Sequence, residues 1–113
     1  MELSPLTDQT TLTEVLNLPL ALIYKHSTRC WASHVAHKQV KSFAENRPDL
    51  PIFMVDVIRD RPLSQEIASE LQVRHKSPQI ILVRTGVAQW HASHYDVTQE
   101  EIEQQLSVLN TND

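Results

Sequence analysis

Two rhythms of apolar residues alternate along this chain: short unbroken runs, and stripes that repeat every three to four positions. The runs from Leu20 to Tyr24, Pro51 to Asp56 and Gln79 to Val83 read as strands buried on both faces of a sheet. Between them, Ala32, Ala36, Val40 and Phe43 make a helical stripe over Cys30 to Asn46. Leu63, Ile67, Ala68 and Leu71 make another after Arg61-Pro62, where an early proline suits a helix. Thr11 and Glu14 have capping-box spacing around Leu12, Val15 and Leu16, which predicts a first helix to about Asn17, stopped by Pro19. Thr85-Gly86 is a tight turn, and Val87 to Ala92 alternates as the returning arm of a hairpin. Thr98 and Glu101 form a second capping box, stapled by Val97 and Ile102, with Ile102, Leu106 and Leu109 turned inward.

The predicted order is α-β-α-β-α-β-β-α. Helical crossovers imply parallel pairs and the tight turn an antiparallel one. The expected fold class is therefore α/β: a four-stranded mixed sheet flanked by helices on both faces, the thioredoxin arrangement. The 113 residues, 41% of them apolar, suffice for one domain spanning 1–113. Only the tail Asn110 to Asp113 reads as frayed.

Composition narrows the function. Gly86 is the one glycine, so neither a P-loop nor GxGxxG can be present. The net charge of −4 without a basic tract argues against nucleic acid. Leu16 to Tyr24 is interrupted by Asn17 and Pro19 and is too short to span a bilayer, and Met1 to Pro5 lacks a basic leader. With a single cysteine the chain forms no internal disulfide and needs no oxidising compartment. The expected location is the cytoplasm, with no membrane contact.

That cysteine, Cys30, falls where the first buried strand gives way to a helix, in Lys25-His26-Ser27-Thr28-Arg29-Cys30-Trp31-Ala32-Ser33. A sulfur in the first turn of a helix meets unpaired N–H groups and the positive end of the dipole, which favour thiolate over thiol. Ser33 stands where a dithiol oxidoreductase carries its second cysteine, so the motif is CxxS. Lys25 and His26, at the strand end, are placed to support a thiolate with positive charge. Far along the chain, His75-Lys76-Ser77-Pro78-Gln79 precedes the third strand, at the point where thioredoxin-like proteins carry a cis-proline. A cis Ser77–Pro78 bond there would turn out the backbone of Ser77 for an extended substrate to pair with.

Four segments together resemble the YtxJ family, the monothiol bacilliredoxins. They are Lys25 to Cys30 with Ser33, Asp56 to Ser64, His75 to Gln79, and Trp90-His91-Ala92-Ser93-His94-Tyr95-Asp96. The resemblance implies a thioredoxin fold and thiol–disulfide exchange with bacillithiol, a low-molecular-weight thiol of certain bacteria. It matches Cys30 to the reactive cysteine and Pro78 to the cis-proline, with Trp31, Ser77 and Pro78 expected to meet substrate. Trp31-Ala32 departs from the commoner Pro-Ile within the motif. No chemistry is assigned to the segment from Trp90 to His94.

The function expected is a monothiol oxidoreductase that uses Cys30, with Ser33 beside it, to remove bacillithiol or a similar thiol from protein mixed disulfides. That thiol is a co-substrate and no bound cofactor is expected; the partners are the proteins that carry it. One alternative is a thioredoxin-fold adaptor that binds at Ser77-Pro78 without turnover. A further alternative is a metal site, since Cys30, His34 and His37 lie at i, i+4 and i+7 on one side of a helix.

Overall fold

Five strands form one sheet in this computed structural model, which describes residues 3–111. In chain order the elements are β1 (Ser4–Pro5), α1 (Gln9–Leu16), β2 (Ala21–His26), α2 (Trp31–Asn46), β3 (Ile52–Asp56), α3 (Arg61–Leu71), β4 (Gln79–Arg84), β5 (Val87–Ser93), a 3-10 turn at His94–Asp96, and α4 (Gln99–Thr111). The strands lie in the order β1-β3-β2-β4-β5. The expected thioredoxin arrangement is present, with three corrections.

The first correction is the strand count, five rather than four. Ser4 and Pro5 pair with Phe53 and Met54 at the sheet edge. Two exposed residues carry no periodicity to read, and proline is tolerated on an edge where no ladder N–H is needed. The second concerns direction. β2 and β3 are parallel, as their crossover implies, but β4 runs antiparallel to β2 despite following a helix. After α3 the segment 72–78 carries the chain onward, so β4 starts at Gln79 opposite Lys25, at the end where β2 stops. The third concerns α1, which begins at Gln9 because the Asp8 carboxylate accepts the Thr11 N–H at 2.8 Å. Thr11 lies inside the helix; Asp8 displaces it as cap and lets Leu12 and Val15 both be buried. Of the tail read as frayed, Asn112 and Asp113 lie outside the described residues, while α4 runs to Thr111.

Elsewhere local signals and structure agree. Thr85 and Gly86 both have positive φ (47° and 77°), as the two-residue turn of a tight hairpin requires. The Thr98 hydroxyl accepts the Glu101 N–H at 3.2 Å, and Val97 and Ile102 are both buried. The core is split by the sheet. One side joins Leu22, Tyr24, Ile80 and Leu82 to α2 and α4; the other joins Ala21, Ile23, Ile81 and Val83 to α1 and α3. Alternate residues of β2 therefore go to opposite faces, which decides where its last three side chains end up.

Candidate active site

The loop Ser27–Cys30 connects the end of β2 to the start of α2. Cys30 is the N-cap of α2, with extended backbone (φ −117°, ψ 125°). Its carbonyl accepts the N–H groups of Ser33 (3.1 Å) and His34 (3.3 Å), and its own N–H donates to Ser27 O at 3.3 Å. Its sulfur makes no capping hydrogen bond, and the thiol is free and half-buried. Trp31, next to it, is 73% exposed. Ser33 is fully buried, and its hydroxyl accepts the Ser27 N–H at 3.1 Å. The hydroxyl of the CxxS motif thus ties the loop that carries the thiol to the first turn of the helix.

Beneath that turn lies a group the sequence did not single out. The Tyr24 hydroxyl donates to Ser33 O at 3.0 Å and lies 2.9 Å from His26 Nδ1. A phenol has one proton to give, so the second bond needs His26 to donate from Nδ1. Burial pushes the Tyr24 pKa far up, and charge on the nearby Cys30 pushes it further, so the hydroxyl keeps its proton. Burial lowers the pKa of His26, helped by His37 and His34 and opposed by Asp56. His37 is lowered by burial, then by Lys41 and His34. Its ring stacks on Tyr24 at 6.2 Å and lies 5.0 Å from that of His26. A strand tyrosine reads as core; the signal that could have found it is that a buried phenol needs a polar partner.

The metal alternative does not assemble. Among the described residues, no group of three or more His, Cys, Asp or Glu is placed to hold an ion. Cys30 sits ahead of the first turn, exposed His34 lies against Trp31, and His37 is turned onto Tyr24 and His26.

Lys25 leaves the strand on the opposite face from His26 and is 0% exposed. Its ammonium donates to Ser64 O at 3.0 Å and to His75 Nδ1 at 3.1 Å. Burial brings its pKa down to about 8. The pairing with Lys25 makes His75 Nδ1 an acceptor and leaves the ring proton on Nε2. Burial, then Lys25 and Arg61, lower the His75 pKa and keep the ring neutral. β2 therefore divides the residues expected beside the thiol: His26 lies under α2, and Lys25 is committed to α3.

The Ser77–Pro78 bond is cis. Pro78 is buried and its carbonyl accepts the His94 N–H at 2.9 Å, which gives the His94 segment a structural task. Ser77 is half-buried and makes no backbone hydrogen bond among the described residues. It lines a cavity of about 410 Å³ together with Arg29, the residue before Cys30, and with Ser64 and His75. The loops that carry Cys30 and Pro78 thus border the same cavity. Next to Pro78, the Gln79 side chain is buried; its Nε2 donates to Arg74 O, and its Oε1 has no partner among the described residues.

A lone half-buried thiol at a helix N-cap, a cis-proline loop that borders the same cavity as the residue before the thiol, and this sheet define a thioredoxin-fold thiol–disulfide oxidoreductase. Known structures agree. A protein described provisionally as an oxidoreductase with a thioredoxin fold superposes with a TM-score of 0.85 at 27% identity, over 90% of this chain and 91% of that one. Thioredoxin from Trypanosoma brucei brucei matches at 0.79 and 15% identity, over 97% and 92% of the two chains. A mutant thioredoxin from Entamoeba histolytica matches at 0.75 and 17%, over 95% and 99%. At those identities the two thioredoxins speak for the fold alone. The family model of monothiol bacilliredoxin BrxC matches residues 2–102, and the chain belongs to that family.

Proposed function

We propose that Cys30 runs a monothiol cycle that removes bacillithiol, or a low-molecular-weight thiol of the same kind, from mixed disulfides on client proteins. The Cys30 thiolate attacks the small thiol's sulfur, and a new disulfide forms between them. The client sulfur leaves as a thiolate and takes a proton. A second thiolate then attacks the small thiol's sulfur, forms a disulfide with it and returns Cys30 as a thiolate.

The observation that carries this reading is the use of position 33. Ser33 is buried with its hydroxyl accepting the Ser27 N–H, so no resolving sulfur stands beside Cys30. Once loaded, the protein depends on an external thiol. Ser77, which lines the cavity that Arg29 also lines, and exposed Trp31, next in sequence to the thiol, are the contacts this reading gives the client. No helix among the described residues is long and apolar enough to cross a membrane. The reading places the cycle in the cytoplasm, with client proteins and the small thiol as partners and no bound cofactor.

The test is turnover of a client–bacillithiol mixed disulfide, with the glutathione mixed disulfide in parallel and intact mass of the enzyme recorded. Wild type should acquire the small thiol's mass on Cys30 and release it only when a second thiol is added. Cys30→Ser should show no turnover, because an unionised hydroxyl forms no mixed disulfide. Ser33→Cys should expel the small thiol unaided by closing an internal disulfide. Turnover by Cys30→Ser at the wild-type rate would refute the redox cycle and leave an adaptor role.

A further inference from the structure

The exchange cycle leaves one buried charge unused. Lys25 has no exposure, and among the described residues no carboxylate pairs with it, the one salt bridge there being Arg47–Asp49. A cation taken out of water without a counter-ion is costly, and an apolar side chain of similar length would fill the space without that cost. The ammonium has instead two acceptors from two other segments, Ser64 O on α3 at 3.0 Å and His75 Nδ1 at 3.1 Å. The strand it leaves, β2, runs directly into the loop that carries Cys30. Lys25 thus joins the cysteine-bearing strand, α3 and the segment that carries Ser77.

That segment is anchored at Arg74, His75 and Pro78. At its start, Arg74 O accepts from Gln79 Nε2 at 3.0 Å, and Gln79 is the cross-strand partner of Lys25. At its end, Pro78 O accepts the His94 N–H at 2.9 Å. Between them His75 reaches inward, to Lys25 Nζ and to Ser64 Oγ, both at 3.1 Å. An ammonium is a donor only, so this bond decides which ring nitrogen accepts and how the ring lies. The Ser64 hydroxyl can turn to donate or accept and imposes no such choice. Ser77, two residues on, makes no backbone hydrogen bond of its own among the described residues, so its place is set by these anchors.

We propose that Lys25 is a positioning residue for the exchange reaction: through His75 it sets where the Ser77 backbone lies relative to Cys30, and so how firmly an extended client is held. The inference rests on the reading in which the client meets Ser77. It gives Lys25 a task other than the thiolate support expected from its place at the strand end. The ammonium is committed to α3 and His75, so it acts on client binding and not on the nucleophile.

The experiment uses the whole chain and two disulfide probes. One is a neutral, extended cysteine peptide joined to 2-mercaptoethanol; the other is the disulfide of 2-mercaptoethanol itself, which has no backbone to pair. With no second thiol present each chain reacts once, and peptide-thiol release and the adduct mass on Cys30 are followed against probe concentration. Lys25→Met fills the same space without the charge. It should raise the half-saturating peptide concentration about tenfold, keep the limiting rate within about twofold, and leave the rate on the small disulfide unchanged. His75→Ala alters an exposed side chain and should raise half-saturation by about threefold or more. His75→Asn, whose Oδ1 accepts in place of Nδ1, should saturate as wild type does. In 1H–15N spectra the Ser77 amide, far from Lys25 in sequence, should shift in Lys25→Met. Unchanged half-saturation in Lys25→Met and His75→Ala, an unmoved Ser77 amide, or equal slowing on both probes would overturn the role, the last by placing Lys25 at the thiol itself. Failure of the exchange reading looks different: wild type releases no peptide thiol and gains no adduct, and the Ser77 amide still decides whether Lys25 sets that backbone.

Discussion

Lys25 is a cation held with no exposure, and that has a measurable consequence. Its pKa of about 8 in the fold lies below the 10.5 of the free side chain, so burying the ammonium costs about 3 kcal/mol at neutral pH. Between those two values the unfolded chain still binds a proton that the folded one has released. Stability therefore rises with pH across that window. Lys25→Met should remove this gain, and the measurement is the difference in urea midpoint between wild type and variant from pH 7 to 10.5. A difference that stays constant would mean that the ammonium is solvated. Single residues were unevenly legible. Cys30 and Ser33 announce themselves by type and spacing. The commitments of Lys25 to Ser64 and His75, and of Tyr24 to Ser33, span 39, 50 and 9 positions and leave no local trace.

At the scale of elements, the hairpin between β4 and β5 depends on its turn. Gly86 has φ +77°, and a Cβ there would meet Leu16 O at 3.1 Å, so the turn is pressed against the end of α1. Gly86→Ala should destabilise the protein by about 1–2 kcal/mol, through strained backbone and a displaced α1 terminus. Chemical denaturation measures the loss; a change within error would mean that the hairpin tilts away freely. The turn, both capped helices and the buried strands were readable because each rests on contacts within a few positions. β1 and the start of α1 were not: a two-residue edge strand has no period, and Asp8 and Thr11 are both competent caps.

For the molecule as a whole, acid should be the weak side. His26, His37 and His75 all have pKa values lowered from 6.5, in each case by burial first and by nearby positive groups second, on both faces of the sheet. As pH falls through 6.5 the unfolded chain takes up protons that these three rings refuse, and stability drops. Asp56, lowered by the Arg59 and Ile58 N–H groups, adds a further loss only once pH falls below its ordinary 3.8. Urea midpoints from pH 8 to 5 should decline most below 6.5, and His37→Gln should flatten the slope. A flat profile over that range would show that the rings charge in place.

Apart from β1, strand and helix identities, their order and the single thiol at a strand-to-helix junction follow from the sequence alone, because hydrophobic period, capping and turn chemistry act over four or five residues. The antiparallel entry of β4, the division of Lys25 and His26 between opposite faces, and the gathering of Arg29, Arg61, His75 and Ser77 around one cavity were decided by the tertiary structure. Each depends on which end of the sheet a strand enters and on which face of the pleat a side chain falls. Those are settled only when distant segments pack and the buried polar groups find their partners.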